Sequence, residues 1–95
     1  MRLDHTTKWV RPYPPEEQDV RAMCGDPVAV AYHQLQEWLG RQSFKPAVSM
    51  HELTDCLWVQ KYGTSMTRYE IVRDGLHIPE IIPDELYNHV MDVMF

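Results

Sequence analysis

Three polar residues in the middle of the chain have nearly the spacing of a catalytic metal site. The run H-E-L-T-D from His51 to Asp55 differs from the zinc-binding pattern H-E-x-x-H in its last residue. In that pattern, two histidines one helical turn apart bind zinc and the glutamate acts as a base. Aspartate is a poor replacement in a histidine-based zinc site, and Glu52 fits a helix-capping role better. We therefore predict no metal site here.

The sequence patterns of other enzyme classes are missing. The chain has no G-x-S-x-G nucleophile turn and no G-x-G-x-x-G or G-x-x-x-x-G-K-[ST] phosphate loop. Its two cysteines, Cys24 and Cys56, form no C-x-x-C and are too few for a disulfide framework. Both fall on apolar faces of predicted helices, which predicts buried free thiols. The sequence therefore predicts a protein that is not an enzyme and needs no cofactor.

Basic and hydroxyl side chains between Ser49 and Gly75 have the chemistry of nucleic-acid contacts. A capped helix, a turn containing Gly63 and a second short element follow one another here, which is the order of a helix-turn-helix. Residues at the start of the second element would read bases, and flanking cations would hold phosphates. A basic N-terminal arm would reach an adjacent groove. This alternative makes DNA the partner and involves Lys8, Arg11, Lys61, Thr67, Arg68 and Arg73.

The charge of the chain argues against simple DNA binding. Its net charge is −5, which is the wrong sign for a surface that follows phosphates. Residues 74–95 contain five acids and no Lys or Arg. Such a surface can meet a basic patch on a partner or mimic nucleic-acid phosphates. The predicted acidic docking surface consists of Glu80, Asp84, Glu85 and Asp92.

Aromatic side chains are candidate anchors for the same partner, because aromatic residues dominate interface hot spots. Trp9 and Tyr13 lie near the N-terminus, and Trp58 and Tyr62 are spaced i,i+4 on a predicted helix. Small acidic domains without catalytic residues are typical of adaptors and inhibitors, including those encoded by phages and other mobile elements. We therefore expect a non-enzymatic binding protein that docks on a protein or nucleoprotein partner. A helix-turn-helix-like DNA-binding regulator is the alternative, and a homodimer is left open.

The elements that must position these residues begin after an extended arm. Prolines at positions 12, 14 and 15 disfavour helix, so we predict an arm over residues 1–14 and one globular domain over residues 15–95. A first helix is predicted from Pro15 to Cys24, with Gly25 ending it. The N-terminus has no apolar signal-peptide core, and no apolar run approaches the ~20 residues of a membrane span. We therefore expect a cytoplasmic protein with no membrane partner.

Two further helices have clear N-terminal caps. Asp26 suits an N-cap and Pro27 the first helical position, and the helix that they begin ends near Gly40. Ser49 and Glu52 have the spacing of a capping box for the next helix. Both helices show apolar residues at i, i+3 and i+4 spacing. The first apolar face contains Val28, Ala31, Tyr32, Leu35, Trp38 and Leu39, and the second contains Met50, Leu53, Cys56 and Leu57.

Residues 64–82 fit two different structures. The run T-R-Y-E from Thr67 to Glu70 has the spacing of a second capping box. It predicts a helix from Arg68 to Asp74, which the helix-turn-helix interpretation also requires.

The other structure is a short β-hairpin near residues 67–82. Asp74-Gly75 is a strong signal for a two-residue hairpin turn, and this turn would face Ile71 against Ile78. The two predictions are nearly balanced, and we slightly prefer the helix.

The final helix is predicted to begin next to Pro83 and to run to the chain end at Phe95. Its apolar side contains Leu86, Tyr87, Val90, Val93 and Met94. The sequence as a whole predicts a mainly α fold, a compact small domain of four to five helices. The alternative to a helix from Arg68 to Asp74 adds one short β-hairpin near residues 67–82 to this fold.

Overall fold

The computed structural model of this protein describes residues 20, 21, 23–63 and 69–95. This part of the chain is mainly helical and contains one two-stranded hairpin, which confirms the predicted fold class. In chain order the elements are α1 (Pro27–Gly40), α2 (Met50–Tyr62), β1 (Val72–Arg73), β2 (Leu76–His77), α3 (Ile78–Ile81) and α4 (Asp84–Val93). The predicted arm and most of the first predicted helix lie outside the described residues, as do Lys8, Trp9, Arg11, Tyr13, Thr67 and Arg68.

The described residues divide into two compact units. One unit is Ser43–Ile82, which we call the hairpin unit. The other combines residues 20–42 with Pro83–Phe95, which we call the helix-pair unit. Units of roughly 40 residues are smaller than most independently folding domains. The single domain over residues 15–95 stays a prediction.

In the helix-pair unit, the first described residues form the last turn of a helix that ends before Asp26. The Cys24 amide donates to the Val20 carbonyl at 3.0 Å, and the Asp26 amide donates to the Arg21 carbonyl at 2.9 Å. Gly25 between them has a φ of +84°, which is the left-handed conformation that ends many helices. The predicted helix end at Gly25 is thus confirmed. Cys24 is exposed, so the prediction of a buried thiol there was wrong. This residue lies in the turn that ends the helix.

Helix α1 follows directly and is capped as predicted. The Asp26 carboxylate accepts hydrogen bonds from the amides of Val28 at 3.0 Å and Ala29 at 3.4 Å. These bonds satisfy amides that have no partner inside the helix. The buried side of α1 contains Ala29, Ala31, Tyr32, Leu35 and Leu39. The predicted apolar face is thus confirmed at four of its six residues, whereas Val28 and Trp38 are half-buried and Ala29 was not predicted. Helix α1 packs against α4.

Helix α4 begins after Pro83 as predicted, and it ends at Val93 rather than at Phe95. Asp84 and Glu85 occupy its first turn. Val90 is its one fully buried residue, and the other apolar residues of the helix are half-buried. The helix is therefore amphipathic, because its apolar residues are buried or half-buried and its polar residues are exposed.

In the hairpin unit, α2 begins with the predicted capping box. The Ser49 hydroxyl accepts from the Glu52 amide at 3.1 Å, and the Glu52 carboxylate accepts from the Ser49 amide at 3.5 Å. The predicted apolar stripe is buried at Leu53, Cys56 and Leu57. Helix α2 thus supplies the centre of this unit, and the hairpin and α3 are its other elements.

Residues 72–77 form the hairpin, so the preferred helix over residues 68–74 was wrong. Asp74 and Gly75 both have positive φ, at 53° and 76°, as a type I′ turn requires. The Ile78 amide donates to the Ile71 carbonyl at 2.9 Å, and both side chains are buried. The facing of these two isoleucines was predicted for the hairpin. Burial of two isoleucine side chains contributes more to stability than one capping box does.

Helix α3 is a single turn that the sequence did not predict. The second strand ends at His77, and Pro79 lies in the first turn of α3, where a proline needs no amide partner. Ile78 and Pro79 are both buried. The chain therefore leaves the hairpin directly into a helical turn that covers the apolar side of the unit.

Candidate docking surface

Helix α4 carries three exposed acids and no Lys or Arg. Asp84, Glu85 and Asp92 are all exposed, and within the described ranges none of them forms an ion pair. Glu85 and Asp92 are seven residues apart, so they lie on one stripe of the helix, with His89 between them. Glu85 and Asp92, together with Asp84 beside Glu85, form an acidic surface on a helix that contains no Lys or Arg, and we call these three acids the α4 acidic stripe.

The position of each acid along α4 separates structural from functional explanations. Asp84 and Glu85 lie in the first turn, where the helix macrodipole stabilises negative charge. Asp92 lies in the last turn, which contains no base, and there the same macrodipole disfavours an acid. The helix itself therefore accounts for the first two acids. It does not account for Asp92.

A shallow groove of about 370 Å³ lies beside the stripe. Gln34 of α1 and Glu85, Leu86 and His89 of α4 line it. These side chains supply a carboxylate, an amide, an imidazole and an aliphatic surface. The groove is at the small end of the roughly 300–1,000 Å³ range of ligand pockets, so it suits one side chain of a partner better than a large cofactor.

The fourth acid of the predicted docking surface lies elsewhere. Glu80 is exposed on α3, which belongs to the hairpin unit. The predicted acidic surface is therefore distributed over both units. Three of its members, Asp84, Glu85 and Asp92, share one helix.

Arg73, which the sequence predicted as a phosphate contact, is engaged inside the hairpin unit. Its Nη2 lies 2.6 Å from Glu52 Oε1, and its Nη1 donates to the Val72 carbonyl at 3.0 Å. Arg73 lies on strand β1, not on a recognition helix. Lys61 lies in the last turn of α2 and is exposed. DNA binding stays a prediction, and residues 69–75 do not form the recognition helix that it would use.

Glu52 therefore has two roles that only the structure brings together. It completes the capping box with Ser49 and pairs with Arg73, which is 21 residues further along the chain. A second polar contact joins the linker to the hairpin, because the Lys45 amide donates to Asp74 Oδ2 at 3.0 Å. Sequence reasoning missed both contacts, because no local spacing relates these residues.

The two aromatic residues that α2 was predicted to present lie together. Trp58 and Tyr62 have ring centroids 5.5 Å apart and planes inclined at 51°, which is a favourable tilted arrangement. Trp58 is only 9% exposed, and Tyr62 is half-buried. The pair contributes packing to the hairpin unit, and Tyr62 is the more exposed of the two residues.

Two histidines pair with acids one helical turn further along their own helices. His51 Nε2 lies 3.6 Å from Asp55 Oδ2, and His33 Nε2 lies 3.5 Å from Glu37 Oε1. Within the described part of the chain, no group of three or more His, Cys, Asp or Glu side chains could hold a metal ion. Glu52, the residue at the position of a catalytic base, is committed to Arg73 and the cap.

Cys56 is buried in the hairpin unit, as predicted. Its thiol lies 3.3 Å from the Tyr69 carbonyl, to which it donates. Burial raises the pKa of Cys56 to about 12, and the nearby amide of Ile71 opposes this only partly. Burial and the charge of Glu52 also raise the pKa of Tyr69. At neutral pH the Cys56 thiol is therefore protonated and a poor nucleophile.

Comparisons with protein-family models, with curated proteins and with solved structures gave no match. In the described ranges, no helix combines the length and the apolar character that crossing a membrane requires.

Proposed function

We propose that this protein is a non-enzymatic adaptor or inhibitor that docks on a basic surface of a protein or nucleoprotein partner through the α4 acidic stripe. The observation that carries the proposal is Asp92. It is an exposed acid in the last turn of α4, where it opposes the helix macrodipole, and α4 contains no Lys or Arg. A residue that disagrees with its local structure is a pointer to function.

The charge of the surrounding sequence supports the same conclusion. Residues 74–95 contain no Lys or Arg, so the field above α4 is not neutralised by neighbours in sequence. Uncompensated fields of one sign steer oppositely charged partners and raise association rates. By contrast, the one arginine that the structure describes in the hairpin is held by Glu52. A basic partner therefore fits the described surface better than a nucleic acid does.

We place this activity in the cytoplasm, and support comes from the two thiols. Cys24 and Cys56 are both free cysteines, and free thiols persist in reducing compartments.

Affinity capture from the native host tests the proposal. The tagged chain is compared with a triple variant in which Asp84→Asn, Glu85→Gln and Asp92→Asn remove the three charges. The unmodified chain should capture basic proteins, and the triple variant should lose them. The control variant Glu37→Gln, which removes an exposed acid from α1, should still capture them. Helix content measured by circular dichroism should be the same in all three proteins.

Two results would overturn the proposal. One is a triple variant that captures the same proteins as the unmodified chain. The other is tight binding of duplex DNA whose affinity falls steeply with salt, because this would show a phosphate-binding surface.

A further inference from the structure

We propose that the groove between α1 and α4 binds an arginine side chain of the partner. This inference rests on the proposed function and names the chemistry that the docking surface recognises. The groove and the α4 acidic stripe share Glu85, so a partner segment lying along the stripe passes directly over the groove.

The lining of the groove matches a guanidinium group on two sides. The Glu85 carboxylate is an acceptor with two oxygens, and it has no ion-pair partner among the residues that the structure describes. The Gln34 side chain comes from the facing helix and supplies an amide oxygen as a further acceptor. A planar group with five donors can use both at once.

The other two residues provide flat and apolar surfaces. Leu86 is half-buried and His89 is exposed, and both line the same groove. An aliphatic arginine stem packs on leucine, and a guanidinium plane stacks on an aromatic ring. Lysine has a compact, strongly hydrated ammonium that gains less from either surface. The groove therefore selects arginine over lysine, and the rest of the stripe responds to charge alone.

The test uses two synthetic peptides of equal length and charge, one with arginine and one with lysine at each basic position. Fluorescence anisotropy measures their affinities for the full chain. The arginine peptide should bind about 5–10-fold more tightly, because bidentate charge-assisted bonds to a carboxylate form with arginine alone. Glu85→Gln should remove most of this preference. Asp84→Asn, which removes a neighbouring exposed acid outside the groove, should lower both affinities equally and keep the preference.

A second variant tests the stacking surface without changing the acids. His89→Ala should lower the affinity of the arginine peptide and leave that of the lysine peptide nearly unchanged. Equal affinities for the two peptides, or equal effects of Glu85→Gln and Asp84→Asn on the preference, would overturn the arginine site and leave acidic docking intact. If neither peptide binds and the triple charge variant also captures the same host proteins as the unmodified chain, both proposals fail.

Discussion

The two units of this protein use their charged residues in opposite ways. In the hairpin unit, polar contacts join elements that are distant in sequence, as between Arg73 and Glu52 or Lys45 and Asp74. In the helix-pair unit, the described ion pairs are local, as between His33 and Glu37. The acids of α4 have no ion-pair partner in the described part of the chain.

The two kinds of charged residue are expected to have different roles, one in stability and the other in binding. A charge that joins two elements contributes to the fold, and its removal is felt as lost stability. An exposed charge that joins nothing contributes little to stability. A group of such charges on one helix is therefore available for a partner.

The largest effect is expected at the hairpin. Ile71 is 1% exposed and its neighbour Val72 is 43% exposed, because successive strand residues point to opposite faces. Ile71→Ala should lower the free energy of unfolding by about 2–5 kcal/mol through the cavity that it leaves. Val72→Ala should change it by less than about 0.5 kcal/mol. Urea unfolding measures both values, and similar losses for the two variants would contradict the register of the hairpin.

The ion pair between the hairpin and α2 should contribute less. Arg73→Met should cost about 1–2 kcal/mol, which is at and just below the lower end of the usual range for hydrogen bonds to charged groups. The discount reflects the exposure of the pair, since the two side chains are 22% and 29% exposed. A double-mutant cycle with Glu52→Gln should show coupling between the two residues. Capture of the partner should not change, and additive effects in the cycle would show that the pair is not coupled.

The buried thiol predicts a loss of stability in alkali. Since the pKa of Cys56 is raised to about 12 in the folded chain from an ordinary value of 9.0, the unfolded chain loses this proton first. Stability is therefore full below pH 9 and falls as the pH rises towards 12. At pH 10 the loss should be roughly 1.4 kcal/mol. Unfolding measured from pH 8 to pH 10 should show this loss, and Cys56→Ala should lack it.

The same contrast between the units predicts thiol reactivity. Cys24 is exposed and Cys56 is buried, so an aromatic disulfide reagent should label one thiol per folded chain. Cys24→Ser should remove that reaction, and denaturant should restore labelling at Cys56. Rapid labelling of the Cys24→Ser variant in the absence of denaturant would contradict the burial of Cys56.

The smallest stability effects should appear in α4, and they should have opposite signs. Asp84→Asn removes an acid from the first turn and should destabilise the chain by about 0.3–1 kcal/mol. Asp92→Asn removes an acid from the last turn and should stabilise it by a similar amount. Thermal unfolding at low salt measures both shifts. Destabilisation by both variants would show that Asp92 has a structural partner.

The sequence predicted those parts of the fold that have local signals. Asp26 and Ser49 are caps whose hydrogen bonds reach only two or three residues, and the apolar spacing after each of them continues through the helix. The start of α4 after Pro83 is local in the same sense. Such elements can be predicted because the atoms that stabilise them are near in sequence.

The hairpin could not be decided in this way, because two local signals disagreed. The run from Thr67 to Glu70 predicted a helix, and Asp74-Gly75 predicted a turn. In the hairpin that formed, Ile71 and Ile78 are both buried, and that contribution depends on tertiary packing. The groove between α1 and α4 also depends on tertiary packing. Gln34 and His89 line it from two helices, and no spacing in the sequence relates them.

The most direct test of docking through the α4 acidic stripe is a single substitution measured in two ways. Asp92→Asn should raise the midpoint of thermal unfolding and, in the same preparation, weaken capture of the basic partner, whereas Glu37→Gln should leave capture unchanged. This combination would show that the acid is kept at the cost of stability because a partner needs it. Unchanged capture by Asp92→Asn, whatever its stability, would contradict docking through the α4 acidic stripe.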